Sequence, residues 1–364
     1  MLRLMLFFVI SIFSISLCAN NIDIVGLSKK DINLNANNTI NKKSLKAIPK
    51  KQVSLLKVNL SNDFKKHLNS KLKFINKSHN NQFIKTNKGL KSPIPAQIDL
   101  GMNEVPVLDQ GIHGSCVTFA LTAALNAALF QDDYISQLCL LQLGTYLEQN
   151  SNFHSGWQGE YTRNVLTKLK YFGAIRKIDE ATGCGSLTSY PLFKEHTGAI
   201  TLEEYNQKSE NIFANHNVKI KKIIDIDENN VDDLSLTEET LLENIKLELT
   251  NGNRIVLGVL MVSEIDQIAN AHSRAFYDSW VLNNKISEQI IKNNIDIVKG
   301  AHEMVVIGYD DNAEAIDSYG KRHKGLLKVR NSWSDLAGDK GDYYISYDYL
   351  LAFILDAYSV YKKI

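Results

Sequence analysis

The sequence predicts an α+β fold of two segregated halves, and three observations carry that expectation. Helix-patterned segments come first, strand-like runs gather after residue 255, and 364 residues at 44% hydrophobic content suffice for one substantial core or two. No internal repeat interrupts this order.

The chain opens on Arg3 and an apolar run from Leu4 to Leu17 broken only by serines, with Cys18 and Ala19 following. The run is short for a bilayer span. It predicts a secretory signal over residues 1–19, cleaved near Ala19, rather than an uncleaved anchor. Bulky Leu17 argues against lipid attachment at Cys18. No later stretch is long and apolar enough to cross a bilayer, so no stable membrane insertion is expected after cleavage. The expected location is secreted: extracellular, or periplasmic in transit.

Residues 20–91 carry 16 Lys against Asp23, Asp31 and Asp63, a net charge of +13, whereas residues 92–364 carry −13. Such asymmetry points either to a nucleic-acid tail or to two parts that bind each other. The lysines lack interleaved aromatics and the protein is expected to be exported, so no nucleic-acid partner is expected. Most of this composition predicts disorder in isolation. Two pieces are better patterned. Val53–Leu60 suits a short strand, and Ser61 or Asn62 can cap a helix with Phe64, Leu68, Leu72 and Ile75 on one face.

Ser92-Pro93-Ile94-Pro95 marks a boundary, because two prolines hold the chain extended. Beyond it, Ser115–Phe130 is an Ala- and Leu-rich run without breakers and reads as a buried helix. Tyr161–Phe172 reads as another, ended by Gly173. Ser235-Leu236-Thr237-Glu238 has capping-box spacing and introduces a helix through about Leu249, stopped by Asn251-Gly252. Strands follow at Ile255–Met261, Met304–Tyr309, Gly325–Val329, Tyr343–Ser346 and Tyr358–Tyr361.

Three segments carry chemistry. In Gln110-Gly111-Ile112-His113-Gly114-Ser115-Cys116 a thiol meets the start of an apolar helix, where orphan N–H groups and the dipole favour thiolate. Gln110 can aim its amide at an oxyanion formed at the sulfur, with the Cys116 N–H as second donor. In Gly300-Ala301-His302-Glu303, His302 opens an apolar strand and can accept the thiol proton. In Arg330-Asn331-Ser332-Trp333, Asn331 can orient that imidazole while Trp333 excludes water. Each alone has a structural reading: a buried small Cys, a strand histidine, a turn.

In this order the three segments resemble the papain-like cysteine peptidases: Gln, then Gly-Ser-Cys, then His before Gly308-Tyr309, then Asn-Ser-Trp. Smaller echoes lie at Pro95–Leu100, Ser136-Gln137-Leu138 and Gly338–Tyr344. The resemblance covers residues 94–364 and implies a two-lobe fold, with a helical lobe bearing the thiol, a β-rich lobe bearing His and Asn, and a cleft between them. It implies Gln110, Cys116, His302 and Asn331 as catalytic residues, protein or peptide substrates, no metal or organic cofactor, and residues 20–91 as an inhibitory propeptide.

Several positions depart from the pattern. Val117 stands where the family has Trp, and His113 where it commonly has Cys. Glu303 adds a carboxylate beside the base, although strand alternation should turn it away from the cleft. The stretch from Cys116 to His302 exceeds the family's usual roughly 130–150 residues; the surplus is expected as surface insertions at 200–235 and 265–299. Removal of the signal leaves Cys116, Cys139 and Cys184, and the last two are placed like a disulfide of the family; two separate buried thiols are the alternative. A papain-fold acyltransferase, transglutaminase-like, and an inactive papain-fold binding protein are the rival functions.

Overall fold

A computed structural model describes residues 21–34, 50–78, 94–194, 198–226, 238–262, 278–292, 295–317 and 319–363. The expected signal peptide, Ser92-Pro93 and the capping box at Ser235 to Thr237 lie outside these residues.

Among the described residues the strands form one ten-stranded sheet. In chain order come β1 (Ile22–Asn33), β2 (Lys50–Leu60), α1 (Asn62–Ser78), β3 (Gln97–Asp99), α2 (Cys116–Leu129), α3 (Gln137–Asn150) and α4 (Thr162–Phe172). Then follow α5 (Leu202–Lys208), α6 (Ile212–His216), β4 (Val218–Asp225), α7 (Glu238–Thr250), β5 (Arg254–Val262), β6 (Ser279–Trp280) and α8 (Asn284–Ile291). The chain closes with β7 (Val298–Ile316), β8 (Arg322–Arg330), β9 (Asp342–Ser346), α9 (Tyr347–Phe353) and β10 (Ile354–Lys362). The sheet path is β4-β10-β5-β7-β8-β9-β6, with β2 and β3 also paired to β7.

The early helices and the late strands form the expected α+β halves, and α2 lies where they meet. All of its side chains are buried, and it packs on α3 and α4 on one side and on β5, β7 and β10 on the other. Its Ala- and Leu-rich sequence suits a helix surrounded by core. The helix stops at Phe130, whose φ of 57° is left-handed. Ser136 caps α3 by accepting from the Cys139 N–H at 3.0 Å. β5 is buried at every position, as a central strand of Ile, Val and Leu must be.

Residues 21–34 and 50–78 of the lysine-rich segment are not the loose chain that its composition suggests. β1 and β2 form an antiparallel hairpin in register from Ile22–Leu60 to Asn33–Lys50. Ser61 Oγ accepts the Phe64 N–H at 3.1 Å and starts α1. The stripe of Phe64, Leu68, Leu72 and Ile75 is fully buried, with α1 packed against α8 and α9. Each such side chain is worth about 1.5–3 kcal/mol. Docking supplies the apolar surface that the segment lacks alone.

The expected insertions are not merely surface features. In the first, Tyr205, Ile212, Val218 and Ile224 are buried and β4 forms an edge of the sheet beside β10. In the second, Trp280, Ile286 and Ile290 are buried and β6 pairs in parallel with β9. Local apolar content at these positions outweighs the acidic average of the segments. Cys139 and Cys184 are bonded, with Cα atoms 5.1 Å apart, and Cys116 is the free thiol.

Candidate active site

The four residues singled out from sequence converge where α2 meets β7 and the end of β8. Cys116 is the first residue of α2 and is wholly buried. His302 lies in β7, which places it opposite Val259 of β5. Asn331 and Ser332 follow directly on β8. The Asn331 Oδ1 and His302 Nε2 atoms are 2.8 Å apart, and the Trp333 ring stacks on the imidazole at 4.5 Å between centroids.

This contact fixes the tautomer. Asn331 Oδ1 accepts the Ser332 backbone N–H at 2.7 Å, so that atom is an oxygen and His302 Nε2 must donate to it. The bare nitrogen is then Nδ1, which is buried without a hydrogen-bond partner. A neutral imidazole in this tautomer has its basic atom unengaged.

Gln110 is built into the same assembly. Its backbone N–H donates to Ser332 O at 2.9 Å, and its Oε1 accepts from Ser332 Oγ at 2.7 Å. The amide nitrogen is thereby turned the other way, donating to His113 O at 2.8 Å and to Ser54 O of β2 at 3.4 Å. Gly111 takes φ of 60° to make this turn.

Tyr190 was not visible from sequence motifs, yet it braces the loop. Its hydroxyl donates to Gln110 O at 2.9 Å and lies 2.8 Å from Ser115 Oγ. Its ring stacks on Trp157 and meets His113 and Phe119 edge-on. His113, which replaces a family cysteine, bonds Pro191 O through Nε2 at 2.6 Å. An aromatic cluster therefore ties the two loops without a second disulfide. Tyr190 lies in a loop with no periodicity, so nothing local in the sequence marks it.

Glu303 departs from expectation. Strand alternation turns it from the cleft centre but into a cavity that His302 also lines, where it accepts from Thr162 Oγ1 at 3.2 Å.

The β1–β2 hairpin covers this site. Leu56 pairs with Ala301, beside His302. Ser54 Oγ donates to Ile112 O at 2.5 Å, and Lys51 Nζ binds Asp109 at 2.6 Å and Trp333 O at 3.1 Å. A Cβ on Gly114 would lie 2.3 Å from Leu27, and one on Gly159 2.7 Å from Ile24. Bare glycine backbone is what lets the hairpin sit this close.

Burial reverses the electrostatics expected of a thiol at a helix N-terminus. It pushes the Cys116 thiol up to about 12, with the Glu303 charge adding to the rise and the Glu303 and Val117 backbone N–H groups opposing it. Burial also pushes His302 down to about 4, against the pull of Asn331. In the covered form both groups are neutral across ordinary pH, and the helix terminus does not overcome the loss of water.

No protein-family model and no curated protein matches the chain. Among solved structures it is similar to xylellain, a cysteine protease from Xylella fastidiosa, at 16% identity and TM-score 0.49, over 77% of this chain and 91% of that one. It is also similar to digestive procathepsin L 3 of Tenebrio molitor larval midgut, at 16% identity and TM-score 0.45, over 81% and 79%. A third is the bromelain protease from Ananas comosus with the E64 inhibitor, at 15% identity and TM-score 0.42, over 74% and 100%. The chain's own architecture, with Cys116 heading a buried helix of one half and His302 held by Asn331 in the other, is the papain-like α+β arrangement that its motifs imply.

Proposed function

We propose that the chain is a secreted cysteine protease made as an inactive precursor. Residues 1–19 are its signal peptide, 20–91 its inhibitory propeptide and 92–364 its peptidase domain. What supports this reading is the His302–Asn331 pair, the Gln110–Ser332 bond beside it, and the backbone N–H of Glu303, next to His302, on the Cys116 thiol.

In the uncovered enzyme Cys116 gives its proton to His302 Nδ1. The thiolate attacks a peptide carbonyl carbon, and the Gln110 amide and Cys116 N–H hold the resulting oxyanion. Collapse expels the amine, which takes the proton from His302, and leaves a thioester. Water, deprotonated by His302, hydrolyses the thioester and returns the thiol. None of these steps calls on a metal or organic cofactor.

The hairpin accounts for latency in three ways. It fills the cleft, sets the Ser54 carbonyl on the Gln110 amide, and keeps both reacting groups neutral by excluding water. Apolar burial along α1 holds it, with Lys51–Asp109 as a partly buried anchor. Among the described residues no helix is long and apolar enough to cross a membrane.

The test is cleavage of a peptide library by acid-treated protein, read by mass spectrometry, with and without an added amine acceptor. Hydrolysed products support a protease. Amine adducts alone would indicate an acyltransferase, and no products together with no labelling by a thiol-directed probe would leave an inactive binding protein.

A further inference from the structure

Beside His302 lies a cavity of about 50 Å³, closed on the hairpin side by Leu56. Val117, Ala301 and Leu355 give it apolar walls, and Glu303 and Asp356 give it a polar end. The two carboxyls converge. A Cβ placed on Gly258 would lie 2.7 Å from both Asp356 Oδ1 and Glu303 Oε2, so the glycine keeps open the space they share. Asp356 accepts the Gly258 N–H at 3.1 Å and Glu303 the Thr162 hydroxyl at 3.2 Å.

The neighbouring cations have other partners. Arg163 and Asp225 also line the cavity and pair with each other at 3.8 Å, and Lys168 pairs with Glu160 at 2.5 Å. Among the described residues, no salt bridge reaches Glu303 or Asp356. Burial pushes Asp356 up to about 7, with the Asp225 charge adding to the rise and a hydrogen bond from Glu303 opposing it. Burial, with the Asp356 charge and that shared hydrogen bond, holds Glu303 well above the usual carboxylate range. His302 lines the same cavity, and its buried Nδ1 has no hydrogen-bond partner.

The hairpin fixes where a peptide would place a side chain here. Ser54 meets the oxyanion donor Gln110, and Leu56, two residues on, enters the cavity. A peptide crossing the same cleft with a carbonyl at Gln110 therefore sends a nearby side chain to the two carboxyls.

Resting on the protease reading, we propose that this cavity selects substrates with a lysine or arginine side chain close to the scissile bond. The aliphatic stem lies along Val117, Ala301 and Leu355, and the cationic head meets Glu303 and Asp356. The hairpin residues that line the cavity, Ile22, Ile24, Leu56 and Val58, are all apolar, so the hairpin brings no charge to the two carboxyls.

The pocket can be tested without catalysis, by thermal unfolding of the full chain at pH 8. Leu56→Lys and Leu56→Gln are each made in the natural background and in Glu303→Gln/Asp356→Asn. The expected result is that Leu56→Lys lowers Tm by at least about 3 °C more in the neutralised background, whereas Leu56→Gln costs the same in both. Equal costs for Lys in both backgrounds overturn the proposal. Should Leu56→Lys not fold in either background, cleavage by acid-treated full-length protein decides. Peptides with Lys or Arg are expected to be cut at least 10-fold better than Leu peptides, and Asp356→Asn to erase the difference; a preference for Leu, or one unmoved by Asp356→Asn, overturns the pocket. Coupling in the melts with no peptide cleaved would refute the protease and leave the pocket standing. Cleavage of Leu peptides without coupling would do the reverse.

Discussion

His302 Nε2 donates to Asn331 Oδ1 across 2.8 Å, and because that oxygen also takes the Ser332 N–H, the ring cannot exchange tautomers without breaking a buried contact. The nitrogen left to accept a proton is thus Nδ1. Asn331→Ala should leave the fold intact and lower turnover by about 10²-fold through loss of ring orientation. Comparing kcat with KM on one peptide checks it; a change confined to KM would place Asn331 in substrate binding instead.

Gln110→Ala should cost about 10²–10³ in kcat, as for other oxyanion donors. The same change removes the amide contact to Ser54 O and the bond from Ser332. Thiol-probe labelling of Cys116 in the uncleaved protein should therefore rise while kcat of the processed enzyme falls. Parallel loss of both would mean a misfolded loop.

Acid should open the cleft. His302 is held near 4 by burial and lies near 6.5 when exposed. A depressed histidine favours the covered state fully above about pH 6.5, and that contribution fades as pH falls toward 4, on the order of 3 kcal/mol in all. Asp356, raised to about 7 by burial, acts in the opposite sense, since acid removes its buried charge. Labelling of Cys116 should therefore increase from pH 6.5 to 4 and flatten in His302→Gln.

The Cys139–Cys184 bond closes a 45-residue separation, worth about 3–4 kcal/mol in the chain-entropy model. Intact-mass analysis of the mature chain, without Cys18, after alkylation without reductant should find one labelled cysteine, Cys116, once the protein is unfolded. Three labels would exclude the bond.

Leu68→Ala or Leu72→Ala should destabilise the docked segment by about 2–5 kcal/mol, whereas Lys51→Ala should cost less, because its pair with Asp109 is partly solvated. The readout is probe labelling of Cys116 at neutral pH. Greater opening in Lys51→Ala than in Leu68→Ala would make charge the dominant hold.

Gln110, Cys116, His302 and Asn331, the residues of the proposed site, stand out in the sequence because each sits in a short motif at a defined point of a helix or strand. α2, α4, β5, β8 and β9 were legible from runs of apolar residues with clear stops. Tyr190 and the Glu303–Asp356 pair were not, since their roles arise from contacts between residues far apart in sequence. β1 escaped because Ile22, Ile24, Leu27 and Ile32 do not alternate evenly: a bulge between Ile24 and Gly26 breaks the period. The thiol's neutrality was also beyond sequence, because it depends on what covers Cys116 rather than on the helix that carries it.

The central claim is that a latent Cys116 nucleophile lies beneath the hairpin. Its most direct measurement compares peptide hydrolysis by natural and Cys116→Ala protein, before and after acid treatment. The expected result is no hydrolysis by either before treatment, hydrolysis by the natural protein alone afterwards, and equal melting temperatures for the two untreated proteins. Undiminished hydrolysis by Cys116→Ala after treatment would contradict it.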